Sequence, residues 1–221
     1  MALFVTFEGL DGSGKSTHLE RASRWLDGLG VGHVVTREPG GTEIGMAIRK
    51  VFLDRRHAVM EATVELLLVF AARRQHLVEV IEPALAENRH VLCDRFTDST
   101  VAYQGYGRGV PLDRVAEVDR LSTGGRRPDL TLLFDLPADL ARRRGHSGHR
   151  RRSGRVDRID AESVAFYERV RSGYLEIAAA EPDRVHTVDS SRSLAETEGA
   201  VRAALARLSP ATSDEPAREA R

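Results

Sequence analysis

A glycine-rich segment near the start of the sequence has the residue types and spacing of a phosphate-binding loop. Residues 9–16 satisfy the pattern G-x-x-x-x-G-K-[ST] between an apolar run that ends at Phe7 and a helical pattern. Its glycines permit torsions that point successive N–H groups at one anion, Lys15 adds a mobile charge, and Ser16 suits Mg²⁺. A glycine-rich turn without a ligand is the alternative. Because pattern and context agree, we predict that the chain binds a nucleoside triphosphate.

Charged residues follow two further apolar runs that are predicted to be strands. Asp94 and Arg95 follow one run, and Arg37 and Glu38 follow the other. The carboxyl ends of parallel strands meet at one sheet edge, so these residues are expected beside the glycine loop. There Asp94 would hold the water shell of Mg²⁺, and Arg95 would bind two phosphate oxygens. For Asp94 and Arg95 the alternative is a surface turn, and for Arg37 and Glu38 it is a surface ion pair.

Two aromatic residues have polar neighbours that would suit recognition of a planar base. Phe70, Arg73 and Arg74 share one helical patch, which would allow stacking on a base and hydrogen bonding to its edge. Tyr103 and Gln104 combine the same two properties. A core phenylalanine and ordinary turn packing are the alternatives, and periodicity alone does not exclude them.

An arginine-dense segment lies between residues 142 and 158. Its members are Arg142, Arg143, Arg144, Arg150, Arg151, Arg152, Arg155 and Arg158. It is interpreted in three ways: a solvated basic face, a nucleic-acid patch, or a lid that closes arginines over phosphates, where one such arginine is worth about 10³–10⁵-fold in rate. Interleaved glycines favour a closing segment over a rigid helix, and missing aromatic residues argue against single-strand binding.

Short apolar strands alternate with amphipathic helices along the whole chain. This alternation predicts an α/β fold in which helices cover both faces of a five-stranded parallel sheet, with the active site at the carboxyl ends of the strands. A glycine-rich loop is expected at residues 105–109. We predict one domain over residues 1–208, a lid at about 142–159, and a disordered polar tail over 209–221.

The composition indicates a globular chain without a general attraction to polyanions. The 221 residues include 33 basic and 33 acidic ones, so any positive potential must be local. The single cysteine, Cys93, excludes an internal disulfide and fits a reducing compartment. No leader segment or long apolar span is recognisable. We therefore expect a cytoplasmic protein that binds neither membranes nor nucleic acid.

Four spaced motifs resemble those of the bacterial thymidylate kinases. They are Phe7-Glu8-Gly9-Leu10-Asp11-Gly12-Ser13-Gly14-Lys15-Ser16-Thr17, Thr36-Arg37-Glu38-Pro39-Gly40-Gly41, Phe70-Ala71-Ala72-Arg73 and Asp94-Arg95-Phe96-Thr97-Asp98-Ser99-Thr100-Val101-Ala102-Tyr103-Gln104-Gly105. The likeness continues through Asp157-Arg158-Ile159 to about Leu208. It implies a P-loop kinase fold, transfer of the ATP γ-phosphoryl group to dTMP to give dTDP, dependence on Mg²⁺, and a homodimer.

The resemblance also implies roles for individual residues. ATP would be bound by Gly9, Leu10, Asp11, Gly12, Ser13, Gly14, Lys15, Ser16 and Thr17. The residues implied for dTMP are Arg37, Glu38, Arg49, Phe70, Arg73, Arg95, Thr100, Tyr103 and Gln104. Phe70 would stack on thymine, although some members of the family carry the aromatic residue one position earlier, where this chain has Val69. Arg73 and Gln104 would bond the base, and Tyr103 would crowd the 2′ position of the sugar.

Metal and catalytic roles follow from the same resemblance. Ser16 and Asp94 would serve the metal, and the catalytic residues would be Lys15, Arg95, Asp11, Arg155 and Arg158. The variable position of the glycine loop is Ser13 rather than a basic residue, as in the form of the family with its arginines in the lid. Which lid arginine meets the phosphates stays open.

Two other functions are weighed against this one. The first is a nucleotide kinase with another base preference, because the thymine methyl group is worth only about 1–3 kcal/mol. The second is a nucleotide-dependent switch or a nucleic-acid-binding protein that uses the arginine segment as its contact surface. A GTPase would require a guanine-binding Asn-Lys-x-Asp tetrapeptide, which the sequence lacks.

Overall fold

Five runs rich in apolar and β-branched residues form one sheet in a computed structural model that describes residues 1–152 and 157–208. The strands are β1 (Phe4–Gly9), β2 (His33–Arg37), β3 (His90–Asp94), β4 (Leu130–Asp135) and β5 (Val185–Asp189). All are parallel, in the order β2-β3-β1-β4-β5. β1 and β4 are buried almost throughout because helices cover both faces of the sheet. The predicted five-stranded parallel α/β fold is confirmed.

The helices of the described residues alternate with these strands. They are α1 (Lys15–Gly28), α2 (Glu43–Leu53), α3 (Ala62–His76), α4 (Glu82–Ala86), α5 (Thr97–Thr100), α6 (Leu112–Thr123), α7 (Ala138–Arg152), α8 (Val164–Ala180) and α9 (Leu194–Leu205). Local signals explain several ends: Thr42 caps α2 by accepting from the Gly45 N–H, and Gly124, in the left-handed conformation, ends α6. No helix in the described part of the chain is long and apolar enough to cross a membrane.

Side chains of alternating direction on the strands build separate cores on the two faces of the sheet. Leu132 of β4 packs with Leu26 of α1 and Val201 of α9. Its neighbour Leu133 belongs to another cluster, which includes Phe166 of α8. This is the two-residue periodicity of a strand that is buried on both sides.

The strand register brings three loops to one edge of the sheet. Asp94, the last residue of β3, lies opposite Phe7 of β1 and also opposite Arg37, the last residue of β2. The segment after β1, the segment after β2 and the segment after β3 therefore leave the sheet side by side. This edge is where ligands bind in open parallel sheets.

The arginine-dense segment is more helical than the sequence analysis expects. α7 continues to Arg152, although glycines at such positions cost about 1 kcal/mol each in a helix. Arginine is a good helix former, and Asp139 pairs with Arg143 one turn later. The expectation of a non-helical closing segment is therefore wrong up to residue 152. Arg155 and the tail over 209–221 lie outside the described residues.

The predicted glycine-rich loop at 105–109 is also corrected. Residues Val101–Gly107 form a π-helical segment that continues α5. Its small residues serve close packing against α8 rather than a turn. A Cβ atom on Gly107 would lie 2.8 Å from carbons of both Phe166 and Val170. Reciprocally, a Cβ atom on Gly173 of α8 would lie 2.5 Å from the Tyr106 ring.

This packing predicts opposite effects for two glycine-to-alanine changes in helices. Gly173→Ala should lower the free energy of unfolding by about 1–3 kcal/mol, because the new methyl group overlaps Tyr106. Gly199→Ala in α9 is the control: nothing lies within 4 Å of its Cβ position, so the change should add about 0.5–1 kcal/mol. Urea denaturation of both variants measures the difference. Equal stabilisation by the two changes would refute the close approach of α8.

Candidate active site

The glycine loop between β1 and α1 is held tightly by its surroundings. Gly9, Gly12 and Gly14 all have positive φ angles, of 135°, 87° and 90°. A Cβ atom on Gly12 would lie 2.2 Å from the Ala141 carbonyl oxygen and 2.5 Å from the Gly145 nitrogen, both backbone atoms of α7. A side chain is therefore excluded at Gly12 by torsion and by space. The same contact fixes the start of the arginine-dense helix against the loop.

Asp11 of the glycine loop is the counter-charge for two cations. Its Oδ1 accepts from Lys15 Nζ at 3.2 Å and from Arg95 Nη2 at 2.8 Å. Burial alone would raise the pKa of Asp11, but the charges of Arg95 and Lys15 outweigh burial and hold that pKa well below its usual range. Asp11 is thus a carboxylate between the glycine loop and the segment after β3.

Ser16 and Asp94 meet at the start of α1 in an arrangement that fits Mg²⁺. The Ser16 hydroxyl donates to Asp94 Oδ2 at 2.7 Å, which leaves its lone pairs available for a ligand. Asp94 Oδ1 is buried and has no hydrogen-bond partner within the described residues. Among all the residues that the structure describes, no group of three or more His, Cys, Asp or Glu side chains is arranged to hold a metal ion. A site of one or two protein oxygens is what Mg²⁺ beside phosphates requires.

Two cavities at this sheet edge join at four shared residues. The first includes Val69, Arg73, Thr100, Tyr103 and Gln104 in its lining. The second is lined by the glycine loop with Asp94, Arg37 and Arg144. The residues shared by both linings are Asp11, Glu38, Arg49 and Arg95. A ligand in one cavity would therefore meet a ligand in the other beside Asp11 and Arg95.

Arg73 offers an unused donor in the first cavity, although it is only 1% exposed. Its Nε donates to Glu38 Oε2 at 2.7 Å, and its Nη2 donates to Thr100 Oγ1 at 2.9 Å. The other Glu38 oxygen is hydrogen-bonded to His76 Nδ1 at 2.9 Å. Arg73 Nη1 has no partner among the residues described. A buried, unpaired cationic donor is costly, so this nitrogen is a place for a ligand oxygen.

Gln104 offers an acceptor in the same cavity. Its side-chain nitrogen donates to Glu65 Oε2 at 3.1 Å, and Glu65 is fully buried. Glu65 pairs with Arg108 and Arg158 as a carboxylate, and a carboxylate only accepts hydrogen bonds. The group of Gln104 that faces Glu65 must therefore be the NH₂ group, which donates. The amide oxygen of Gln104 is therefore the group left for a ligand.

Positive charge exceeds negative charge in the lining of the second cavity. Lys15, Arg37, Arg49, Arg95 and Arg144 line the second cavity, against the three carboxylates of Asp11, Glu38 and Asp94. Burial lowers the pKa of Arg49, and the neighbouring charge of Arg37 lowers it further. Binding of an anion would relieve this repulsion between neighbouring cations. The region is suited to a polyanion.

Phe70, which the sequence analysis predicts to stack on a base, does not line the first cavity. It is 2% exposed and packs with Leu66, Val110 and Val115. The Arg73 guanidinium lies over the Phe70 ring, 4.7 Å from the ring centroid, so the ring packs against the guanidinium. Val69 lines the cavity instead. Spacing alone does not choose between the two residues, since Val69 lies four residues and Phe70 three residues before Arg73, and both spacings share a helix face.

Arg158, which the sequence analysis predicts to be catalytic, lines neither of the two cavities. It is 5% exposed, its Nε donates to the Phe52 carbonyl oxygen at 3.0 Å, and its Nη1 pairs with Glu65. Its Nη2 contacts Met60 Sδ at 3.7 Å. All its side-chain nitrogens therefore have partners behind the lining of the first cavity. Arg144, which the sequence analysis names only as a member of the arginine-dense segment, lines the second cavity and donates to the Ser190 carbonyl oxygen at 3.1 Å.

The comparisons with known proteins agree with this geometry. The thymidylate kinase family model matches residues 7–201. The thymidylate kinase of Pseudomonas fluorescens (strain SBW25) is 48% identical over 206 residues, which cover 93% of this chain and 96% of the relative. That of Geotalea uraniireducens (strain Rf4) is 46% identical over 94% of this chain and 99% of the relative.

A solved structure extends the likeness from sequence to fold. The crystal structure of thymidylate kinase from Ehrlichia chaffeensis is similar with a TM-score of 0.74 and 33% identity, and the match covers 93% of this chain and 98% of that one. Together with the match of the family model over most of the sequence, this shows that the chain belongs to the thymidylate kinase family.

Proposed function

We propose that the chain transfers the γ-phosphoryl group of ATP to dTMP, giving dTDP and ADP. The observation that carries this proposal is the junction of two cavities at Asp11 and Arg95. One cavity offers loop N–H groups and Lys15 to a triphosphate, and the other offers Val69, Arg73 and Gln104 to a base. Catalysis then rests on alignment and on stabilisation of charge, because phosphoryl transfer asks little covalent chemistry of the protein.

The base seat is complementary to the edge of a thymine ring. Arg73 Nη1 is a free donor for the O4 carbonyl, and the Gln104 amide oxygen is a free acceptor for the N3–H group. Val69 provides an apolar surface for one face of the ring. Uracil presents the same two polar groups, so discrimination between the two bases falls to the methyl group. Cytosine and purines present different patterns.

Tyr103 and a group of arginines position the rest of the acceptor. Tyr103 lines the cavity beside Thr100, where its ring would crowd a 2′-hydroxyl group. Its hydroxyl group lies 3.3 Å from Arg95 Nη2 and 3.4 Å from Asp11 Oδ2. Arg95 would hold the monophosphate, with Arg37 and Arg49 beside it, and aim one oxygen at the donor. A monophosphate is already an anion, so no general base is needed.

The donor side is completed by the glycine loop and the first half of α7. Residues 9–17 would hold the triphosphate of ATP. Ser16, with Asp94 through its water shell, would hold Mg²⁺, which neutralises phosphate charge when bound. Among the arginines of α7 we assign the phosphate contact to Arg144, because it lines the same cavity as Lys15. Arg155 keeps the role that the sequence analysis predicts for it, as a proposal.

The oligomeric state and location complete the proposal. We propose a homodimer, which is supported by exposed apolar side chains on the adjacent helices α2 and α3. These are Ile44, Val51, Val64 and Leu67, each 45–53% exposed. A cytoplasmic location is supported by the single cysteine, Cys93, which is buried and free.

An acceptor panel tests the proposed reaction. ADP release from ATP is measured with dTMP, dUMP, UMP, CMP, AMP and thymidine as acceptors. We expect the highest kcat/KM with dTMP, about 10- to 200-fold less with dUMP for want of the methyl group, and still less with UMP because of Tyr103. Thymidine should not be phosphorylated, since Arg95 has no phosphate to hold. Faster turnover of CMP or AMP than of dTMP would contradict the assignment of the base seat.

A pair of neighbouring arginines tests the role of α7. Arg144→Ala should lower kcat at least about 100-fold with little change in the KM for dTMP, because the lost charge would act on the transferred phosphoryl group. Arg143→Ala is the control, since Arg143 is exposed and pairs with Asp139 on its own helix. It should leave both constants within about twofold, as exposed pairs contribute little. Equal effects of the two changes would remove Arg144 from the mechanism.

The proposed dimer face is tested by sedimentation. The wild-type chain should sediment at twice the 24.4 kDa mass of one chain. Leu67→Glu places a charge in the apolar patch of α2 and α3 and should shift the equilibrium to monomers. Leu194→Glu, which adds the same charge at an exposed apolar residue of α9, should leave the dimer intact. Dimers in both variants would place the interface elsewhere.

A further inference from the structure

Glu8 is a fully buried carboxylate that the proposed mechanism does not use. It precedes the glycine loop on β1, is 0% exposed, and lines neither of the two cavities. Its Oε1 accepts from the Phe96 backbone N–H at 2.7 Å. Its Oε2 accepts from the Ser99 hydroxyl at 2.5 Å and from the Tyr174 hydroxyl at 3.0 Å. All three donors are neighbours of Arg95: Phe96 follows it in the sequence, and Ser99 and Tyr174 contact its side chain.

The two hydroxyl groups lie between Glu8 and the guanidinium of Arg95. Arg95 Nη1 donates to Ser99 Oγ at 3.0 Å and to Tyr174 Oη at 3.1 Å. A hydroxyl group has one proton, and a carboxylate can only accept. With Glu8 ionised, the hydroxyl protons turn toward it or toward each other, and lone pairs face Arg95. Burial raises the pKa of Tyr174, so its hydroxyl keeps the proton that this arrangement needs.

Glu8 also binds the backbone next to Arg95. Arg95 has a φ angle of 76°, in the left-handed region that a residue with a side chain rarely adopts. The N–H of the next residue, Phe96, is bound by Glu8, and the Arg95 N–H donates to the Phe7 carbonyl oxygen at 3.0 Å. One carboxylate therefore constrains both the backbone and the guanidinium of the arginine.

We propose that Glu8 is a positioning residue for monophosphate binding: through Ser99 and Tyr174 it orients Arg95 toward the acceptor phosphate. This inference rests on the proposed function, in which Arg95 holds dTMP. Nη2 of the same guanidinium donates to Asp11 Oδ1 at 2.8 Å. By orienting the Arg95 guanidinium, Glu8 therefore determines where its positive charge lies between the two cavities. Glu8 itself touches no substrate.

The charges around Glu8 decide the conditions of a test. Burial and the nearby carboxylate of Asp98 raise the pKa of Glu8 to about 7, while Arg95 opposes the shift. Asp98 is itself paired with Arg184 at 2.7 Å. Measurements at about pH 8 therefore compare the ionised carboxylate with the neutral amide of Glu8→Gln, and dTMP is a dianion there.

The test is the response of Glu8→Gln to ligands with and without a phosphate. The amide nitrogen donates to Ser99 or Tyr174, so a hydroxyl proton turns toward Arg95 and one charge-assisted hydrogen bond is lost. We expect the Kd for dTMP, measured by calorimetry, and the KM for dTMP to rise about 10- to 100-fold. The inhibition constant of thymidine and the Kd for ATP should change by less than about twofold. Thermal unfolding of the variant checks that it is folded at the temperature of the binding measurements.

Two further variants keep the outcome decisive. Glu65→Gln changes the other fully buried glutamate, which orients Gln104, and should weaken dTMP and thymidine alike. Tyr174→Phe removes one hydroxyl group and keeps the ring, so it should weaken dTMP selectively; it decides the matter if Glu8→Gln does not fold. Equal loss of dTMP and thymidine in Glu8→Gln, or no loss of either, would overturn the inference. Failure of the wild type to bind dTMP would instead refute the proposed function.

Discussion

The arrangement of this site depends on positive charge that must be held in place before any phosphate arrives. Lys15 and Arg95 share the Asp11 carboxylate, and Arg95 is further fixed by Ser99 and Tyr174. In a partly buried site of low dielectric constant, such charges are worth more than in water, but they must be compensated and oriented. Under the proposed function, the incoming phosphates would replace a counter-charge that the protein already supplies. This makes the site preorganised for transfer rather than assembled by the substrate.

Much of this arrangement could be predicted from short-range patterns. Each strand is a short apolar run, and the glycine loop carries its own constraints, since a side chain at Gly12 would meet α7. Parallel topology then dictates that residues after different strands meet. For that reason Asp94 lies beside Ser16, and Arg95 beside Asp11, although 78 and 84 residues separate the partners. The sequence carries this information because strand ends are local features and convergence is a rule of the fold.

The remaining features depended on packing that no local pattern encodes. Val69 and Phe70 are adjacent on α3, and the rotation of that helix decides which one meets the cavity. Phe70 is turned toward Val110 and Val115, where an aromatic ring fills the space. Arg158 was assigned to phosphate from its position in a motif, yet its partner Glu65 is 93 residues away. In both cases a contact between segments that are distant in the sequence determines where the side chain lies, and the local sequence does not encode that contact.

The central claim is that a thymine ring lies on Val69 while its phosphate lies on Arg95. A crystal structure of the protein with dTMP tests it most directly. We predict the ring over the Val69 side chain, with O4 bound by Arg73, N3–H bound by the Gln104 amide oxygen, and the phosphate bound by Arg95. A ring stacked on Phe70, or a phosphate away from Arg95, would contradict the account.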